Sequence, residues 1–398
     1  MPRLDFSVQA QGSPSYSLYE LVLYSLKLGS LGFGGPVALV GYMYRDLVEK
    51  RGWISESDYK EGLTLAQLAP GPLAAQTAIY LGYVHYRILG ATLVGLAFVL
   101  PSFLMVVGLG WAYTLYGGLG WMQAAFYGVG ASAIGIIAFG AYKLTRRTIG
   151  TDWLLWGIYL VVAAVTVITE SENVFLVLAA GILIWLVKAP PKVKWGRMTW
   201  VAGAMALPMT TAVAEMPAAN RETLWNILIF FAKAGAFVFG SGLAIVPFLY
   251  GGVVKEYHWL TDRQFLDAVA VAMITPGPVV ITVGFIGFLV AGLPGAIIAA
   301  LGTFLPCYLF TIIPAPYFKK HGKRPAIAAF VNGVTAAAIG AITGAVIVLG
   351  RRSIMDIPTA LLALGTVGLL WKGRNVPEPL IVLAAAIIGL VVKYWIPS

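Results

Sequence analysis

Apolar runs separated by short polar or basic stretches fill the chain from residue 18 onward. In the first half they lie near 18–44, 62–84, 88–116, 121–143, 152–169 and 173–188. Runs of this length suit helices that cross a bilayer, which needs about 20 apolar residues. Two of them carry an interruption. "TLAQLAPGPLAAQTA" (64–78) and "AVAMITPGPVVITVG" (270–284) each hold Pro-Gly-Pro in otherwise span-like sequence. Proline removes a backbone donor and clashes with the preceding turn, so each motif breaks its helix. In hydrocarbon such a break is tolerated only inside protein or beside a water-filled cavity.

The pattern is written twice. At an offset of 206, Lys27, Gly29, Phe33-Gly34, Tyr44, Trp53 and Glu61 fall on Lys233, Gly235, Phe239-Gly240, Tyr250, Trp259 and Asp267. Past the Pro-Gly-Pro the offset becomes 205, and "VLPSF" (99–103) matches "FLPCY" (304–308), as "RRTI" (146–149) matches "RRSI" (351–354). The predicted fold is an all-α polytopic membrane protein of two homologous units, each with about six spans and broken helices. A polar tail (1–17) precedes the first unit (18–188), and a linker (189–223) leads to the second (224–398). "MTWVAGAMALPMTTAVAEM" (198–216) in the linker is long enough for an extra span, which would turn the second unit upside down. Loop charges agree: the 117–120 loop is the uncharged "GGLG", whereas its counterpart region holds "KKHGKR" (319–324). Inversion also puts Arg351-Arg352 on the opposite side from Arg146-Arg147, against the charge pattern.

Composition confirms the setting. Hydrophobic residues are 59% and charged residues 11% of the chain, against roughly 45–50% and 25% in soluble domains. A net charge of +10 would suggest nucleic acid in a soluble protein. Here Lys143/Arg146/Arg147, Lys188/Lys192/Lys194/Arg197 and Lys319/Lys320/Lys323/Arg324 concentrate the charge in short loops, the habit of cytoplasmic loops. A single cysteine, Cys307, and three scattered histidines provide no disulfide, metal cluster or cofactor motif. No catalytic constellation is visible, so neither an enzyme nor a nucleic-acid binder is expected.

Inverted repeats with interrupted helices point to a transporter site near the midplane. The breaks Pro70-Gly71-Pro72 and Pro276-Gly277-Pro278 are its first candidates. The glycine clusters Phe33-Gly34-Gly35-Pro36 and Gly240-Ser241-Gly242 suggest further breaks, where half-helices would present free N–H groups to an anion. The competing reading is that small residues simply let helices approach. Gln67, Gln76, Thr77, Thr275 and Thr282 lie close to the breaks and suit either a ligand or freed backbone carbonyls. Lys27 and Lys233 lie mid-span, where lysine costs about 2.5–3.5 kcal/mol; as a pair they would balance a dianion, and singly each could snorkel. Glu61 and Asp267 open the second span of each unit. The motifs Ser55-x-x-Asp58 and Thr261-x-x-Gln264 upstream read as helix caps, and the acid pair is the candidate for proton coupling.

"FGGP" (33–36), "WIS" (53–55) and "APGP" (69–72), with weaker copies in the second half, resemble the chromate ion transporter family in its long, two-domain form. The likeness runs the length of the chain, although the second copy reads "FGSG" (239–242). The resemblance implies a multi-pass protein of the bacterial inner membrane that exports chromate and confers resistance, with sulfate as a competing oxyanion. Expected partners are that small oxyanion and the lipid bilayer, with a homodimer left open. A sulfate importer and an anion channel are the alternatives.

Overall fold

The computed structural model describes residues 16–33, 35–116, 119–170, 173–190, 218–237, 245–321, 325–372, 376 and 378–395. Helices account for the secondary structure among them. In the first unit these are α1 (Leu18–Leu31), α2 (Gly35–Met43, running on into a π-helical stretch Tyr44–Lys50), α3 (Glu56–Leu68), α4 (Leu73–Tyr116), α5 (Gly120–Thr148), α6 (Trp153–Thr169) and α7 (Val174–Lys188). The second unit repeats the order: α8 (Ala218–Phe237), α9 (Ile245–Leu249, with π-helical Tyr250–Glu256), α10 (Asp262–Ile274), α11 (Thr282–Ile312), α12 (Ala315–His321), α13 (Pro325–Ser353), α14 (Ile357–Lys372) and α15 (Glu378–Trp395).

The first two apolar segments of each unit turn back at their breaks rather than running through. Tyr16 stacks on Trp53 with ring centroids 4.9 Å apart, and Arg51 lies over the Tyr24 ring, so α1 and α2 form a hairpin. In the next segment Tyr80 donates to Glu61 at 2.8 Å. Nineteen helical residues would separate those groups by roughly 28 Å; they touch because the chain reverses at Pro70-Gly71-Pro72. Each arm is short. The 13 residues of α3 span about 20 Å, less than the ~30 Å hydrocarbon thickness, so the tips end inside the membrane. A second reversal at Arg87, which has φ 53°, separates the inner arm of α4 (73–86) from its long outer arm (88–116). The second unit makes the same reversal at Ala291-Gly292.

Caps hold the hairpin stems as the sequence predicts. Ser55 accepts from the Asp58 amide at 3.0 Å, and Thr261 with Gln264 closes a full capping box.

The two units are inverted. The outer arm of α4 runs antiparallel to its counterpart in α11: Thr92 and Tyr308 hydroxyls are 2.7 Å apart, while Gly110 lies against the Phe288 ring, just before the reversal from which the outer arm of α11 starts. The equivalent pair α5 and α13 is antiparallel too, with Gly130 beside Ser353 and Ile134 beside Gly350. A twofold relating antiparallel neighbours must cross them, so it lies in the membrane plane, near Ala97 and Gly302. The units also exchange helices: α6 and α7 pack on α13, and α14 and α15 pack on α5. Because α5, α6 and α7 are joined by short loops and alternate in direction, α5 and α7 end on the face from which α3 starts. Tyr308 beside Thr92 brings α12 to that same face. Lys143, Arg146 and Lys188 therefore share one face with α12, here called the basic face. Residues 119–120 lie on the opposite face.

Arg352 also lies on that opposite face, where its charge is neutralised by Glu170 and Asp262. This answers for Arg352 the objection that the Arg351-Arg352 pair raised to inversion. The stretch 198–216 lies outside the described residues; the helices flanking it, α7 and α8, meet it at opposite faces.

Candidate functional site

The hairpin tips of one unit seat against the other unit. Gly277, at the second Pro-Gly-Pro, donates its N–H to the carbonyl of Gly32 at 2.9 Å. Its φ of 96° requires glycine, and a Cβ there would overlap the Ser102 hydroxyl. Ser102 in turn donates to Gly29 at 3.3 Å. At the first Pro-Gly-Pro, Gly71 (φ 136°) leaves no room for a Cβ between the Gln76 amide and, 3.2 Å away, the Cys307 sulfur. Ser102 and Cys307 are equivalent residues, each beside a proline within a long helix. Each tip thus rests on the same spot of the opposite repeat.

The tips also collect helix starts. The α2 helix begins at Gly35 and the inner arm of α4 at Leu73; the inner arm of α11 begins at Thr282, just after a 3-10 turn Val279–Ile281. Free N–H groups and positive dipole ends accumulate at such starts, so the centre of the membrane domain favours an anion.

The predicted polar residues divide. Gln76 is fully buried; its Nε2 donates to the Pro70 carbonyl at 2.7 Å, and its Oε1 has no partner among the described residues. Thr77, Thr275 and Thr282 donate to the carbonyls of Leu73, Val271 and Val279, which is structural back-bonding. Pro72, Pro276 and Pro278 are buried, while Phe33, Pro36 and Pro70 are half-buried. Gln67 is exposed on α3, one turn before the tip. Gly34, Gly240, Ser241 and Gly242 lie outside the described residues.

Lys27 and Lys233 do not reach the tips. Both are exposed, and Lys27 shares its face of α1 with Leu23 and Leu26. Gly29 and Gly235 press against the backbones of Phe98 and Thr303; residues two apart on a helix point about 200° apart, so both lysines face outward.

The acids are built into the hairpins. Glu61 receives Tyr80 of its own unit. Asp267, only 5% exposed, receives Tyr113 of the other unit at 2.7 Å. The repeat offset puts Phe285 at the place of Tyr80 and Phe318 at the place of Tyr113, and the Tyr113 ring meets Phe285 edge-on. Both tyrosines belong to the first unit and both phenylalanines to the second, so Glu61 is served from its own unit and Asp267 from the other, and each acid keeps one hydroxyl. Sequence reading missed Ser102, Cys307, Tyr80 and Tyr113. Their signal was the repeat register itself, which aligns "PSF" with "PCY" and each tyrosine with a phenylalanine.

A chain of two inverted units, with re-entrant hairpins meeting at the twofold, has the architecture of a secondary transporter. The profile of the chromate transporter family matches residues 19–185 and 225–390. The chain belongs to that family. It is 71% identical to the "Chromate transport protein" of Cupriavidus metallidurans, over 95% of this chain and 94% of that protein. It is 66% identical to the "Probable chromate transport protein" of Synechococcus elongatus, over 96% and 97%. A "Chromate transport protein" of Pseudomonas aeruginosa is 30% identical, over 95% and 93%. No solved structure matches the fold.

Proposed function

We propose that this protein is a secondary transporter, not an enzyme, that exports chromate across the bacterial inner membrane and so confers chromate resistance, with sulfate as a competing oxyanion. The observation that carries the reading is the meeting of re-entrant tips from two inverted units around helix N-termini. Tetrahedral oxyanions need hydrogen-bond donors from several directions, and backbone N–H groups at helix starts supply them. Chromate itself is suggested by the names of the similar proteins.

In this reading Pro70-Gly71-Pro72, Pro276-Gly277-Pro278 and the Phe33–Pro36 turn form the site, with Gly240, Ser241 and Gly242 as the second unit's share. Lys27 and Lys233 act through their field rather than by contact. The basic face is cytoplasmic under the positive-inside rule. A transmembrane potential contributes about 2.3 kcal/mol per charge per 100 mV, so a dianion leaving an inside-negative cell gains roughly 4.6 kcal/mol per 100 mV without a coupled ion. One observation favours a second reading, proton-coupled uptake of sulfate: Asp267 is a buried acid at the junction of the two units.

Labelled chromate and sulfate flux into everted and right-side-out vesicles tests both. Potential-driven chromate accumulation in everted vesicles made inside-positive is expected. Uptake that requires an imposed proton gradient, with sulfate preferred, overturns export.

A further inference from the structure

The two Pro-Gly-Pro hairpins share a sequence plan but differ along one helical stripe. On α3, Glu56, Lys60, Thr64 and Gln67 are all exposed. Their spacing puts them on one side of the helix from its base to the tip. The equivalent residues of α10 are Asp262, Leu266, Ala270 and Met273. Leu266, Ala270 and Met273 are buried, because α5 and α15 pack over α10. Their counterparts α13 and α7 do not cover α3 in this way: α13 only grazes it, and apart from α4 and the π-helical stretch of its own unit it meets the short α12. The open stripe starts on the basic face and ends at Pro70, beside the buried Gln76 with its unpartnered Oε1.

A polar stripe at this depth does not belong in lipid. The Gln67 side chain lies one turn from a tip inside the membrane, and an unsatisfied polar group in hydrocarbon costs several kcal/mol. A water-filled cavity satisfies it. We propose that Lys60, Thr64 and Gln67 line an aqueous vestibule that leads a tetrahedral oxyanion from the basic face to the first hairpin tip. The α3 hairpin is therefore open toward the basic face, whereas the same stripe of α10 is covered. Lys60 is the capture group at the mouth. Glu56 holds it at 2.5 Å in an exposed pair, and an incoming dianion competes with that carboxylate. The oxyanion as ligand rests on the function proposed above; the water-filled path rests on the geometry alone.

The test uses the full chain in oriented vesicles, with Thr64→Cys, Gln67→Cys and, for comparison, Ala270→Cys. A negatively charged, impermeant methanethiosulfonate is applied from the basic face. The parent protein is the blank, since Cys307 is fully buried. A thiolate forms only where water reaches, so the Thr64→Cys and Gln67→Cys proteins are expected to react at least about tenfold faster than Ala270→Cys. Saturating chromate or sulfate is expected to slow reaction of the Gln67→Cys protein several-fold, and Glu56→Gln, which frees Lys60, to lower the oxyanion concentration needed. Resistance of both thiols to the charged reagent, with ready labelling by a lipid-soluble maleimide, overturns the vestibule. Labelling that neither oxyanion slows, in a protein that still moves chromate, overturns the route but leaves export standing. Labelling protected by sulfate in a protein that moves no chromate confirms the vestibule and removes the chromate assignment.

Discussion

The α3 hairpin and the α10 hairpin are the same unit of sequence in two mechanical states. The α10 hairpin is held from several sides. Nine consecutive residues, Phe265 to Met273, are buried; Tyr113 bonds Asp267; Arg352 ties Asp262 at its base to Glu170, which also holds Lys255; and Gly277 docks on Gly32. The α3 hairpin has a solvent-exposed Glu56–Lys60 pair at its base and a Glu61–Tyr80 bond within itself. One is clamped to the opposite unit and the other is stitched mainly to itself. Inverted repeats allow this difference because each unit can adopt the state its partner has just left. The asymmetry identifies the α3 hairpin as the part free to move in this conformation.

The largest effect is expected where both hairpins depend on the same feature. Replacing Pro70 and Pro72 together with alanine, or Pro276 and Pro278, lets the tip regain helix and removes the free N–H groups. Chromate flux in vesicles should fall about 100-fold, equivalent to ~2.7 kcal/mol of barrier, with membrane protein levels maintained. Near-parental flux in both double variants would show that the breaks are scaffolding alone.

Next come the tyrosine–acid bonds, which should be unequal. A hydrogen bond to a charged group contributes about 1.5–3 kcal/mol, and Tyr113→Phe removes one that joins the two units. It should make the Ala270→Cys protein reactive from the opposite face, by roughly tenfold or more. Tyr80→Phe loosens only a hairpin's own stem, and its effect on the same readout should stay within two- to threefold. Equal responses would dissolve the contrast between clamped and self-stitched hairpins.

Lys27→Gln and Lys233→Gln are expected to slow chromate flux by about threefold each, the size of a field effect from exposed charges in high dielectric. Loss of flux in either would mean that the lysine reaches the anion in another conformation. The smallest effect concerns the clamp at the opposite face. The Lys255 ammonium, with Arg352 beside it, holds the Glu170 carboxyl below its ordinary range. A depressed carboxyl stabilises fully above the unfolded value near 4.3, and that contribution is lost as pH falls through the folded value. Between pH 7 and pH 4, the parent should lose about 1–2 °C more of melting temperature than Glu170→Gln. Identical slopes would show that the exposed pair contributes nothing.

Much of this architecture was legible in the residues. The duplicated breaks, the caps and the basic loops depend on local composition and on register, both of which a sequence displays. Arg352 shows the limit: its charge pattern argued against inversion until Glu170 and Asp262, distant in sequence, were found beside it. Lys27 shows another, since its mid-span position suggested a ligand while the facing of α1, set by Gly29 on Phe98, turns it outward.

The sequence by itself determined that the chain is a helical membrane protein, that it is two copies of one unit, where each helix breaks, and which loops are basic. Only the tertiary structure decided that the breaks are hairpin tips, that each tip rests on the other unit at Ser102 or Cys307, and that one hairpin is closed while its twin is open. The physical reason is that a Pro-Gly-Pro forbids a continuous helix but permits both a kinked crossing and a full reversal. The choice between them is made by contacts among residues some 150 to 250 positions apart, such as Tyr113 with Asp267 and Gly277 with Gly32, which no local pattern encodes.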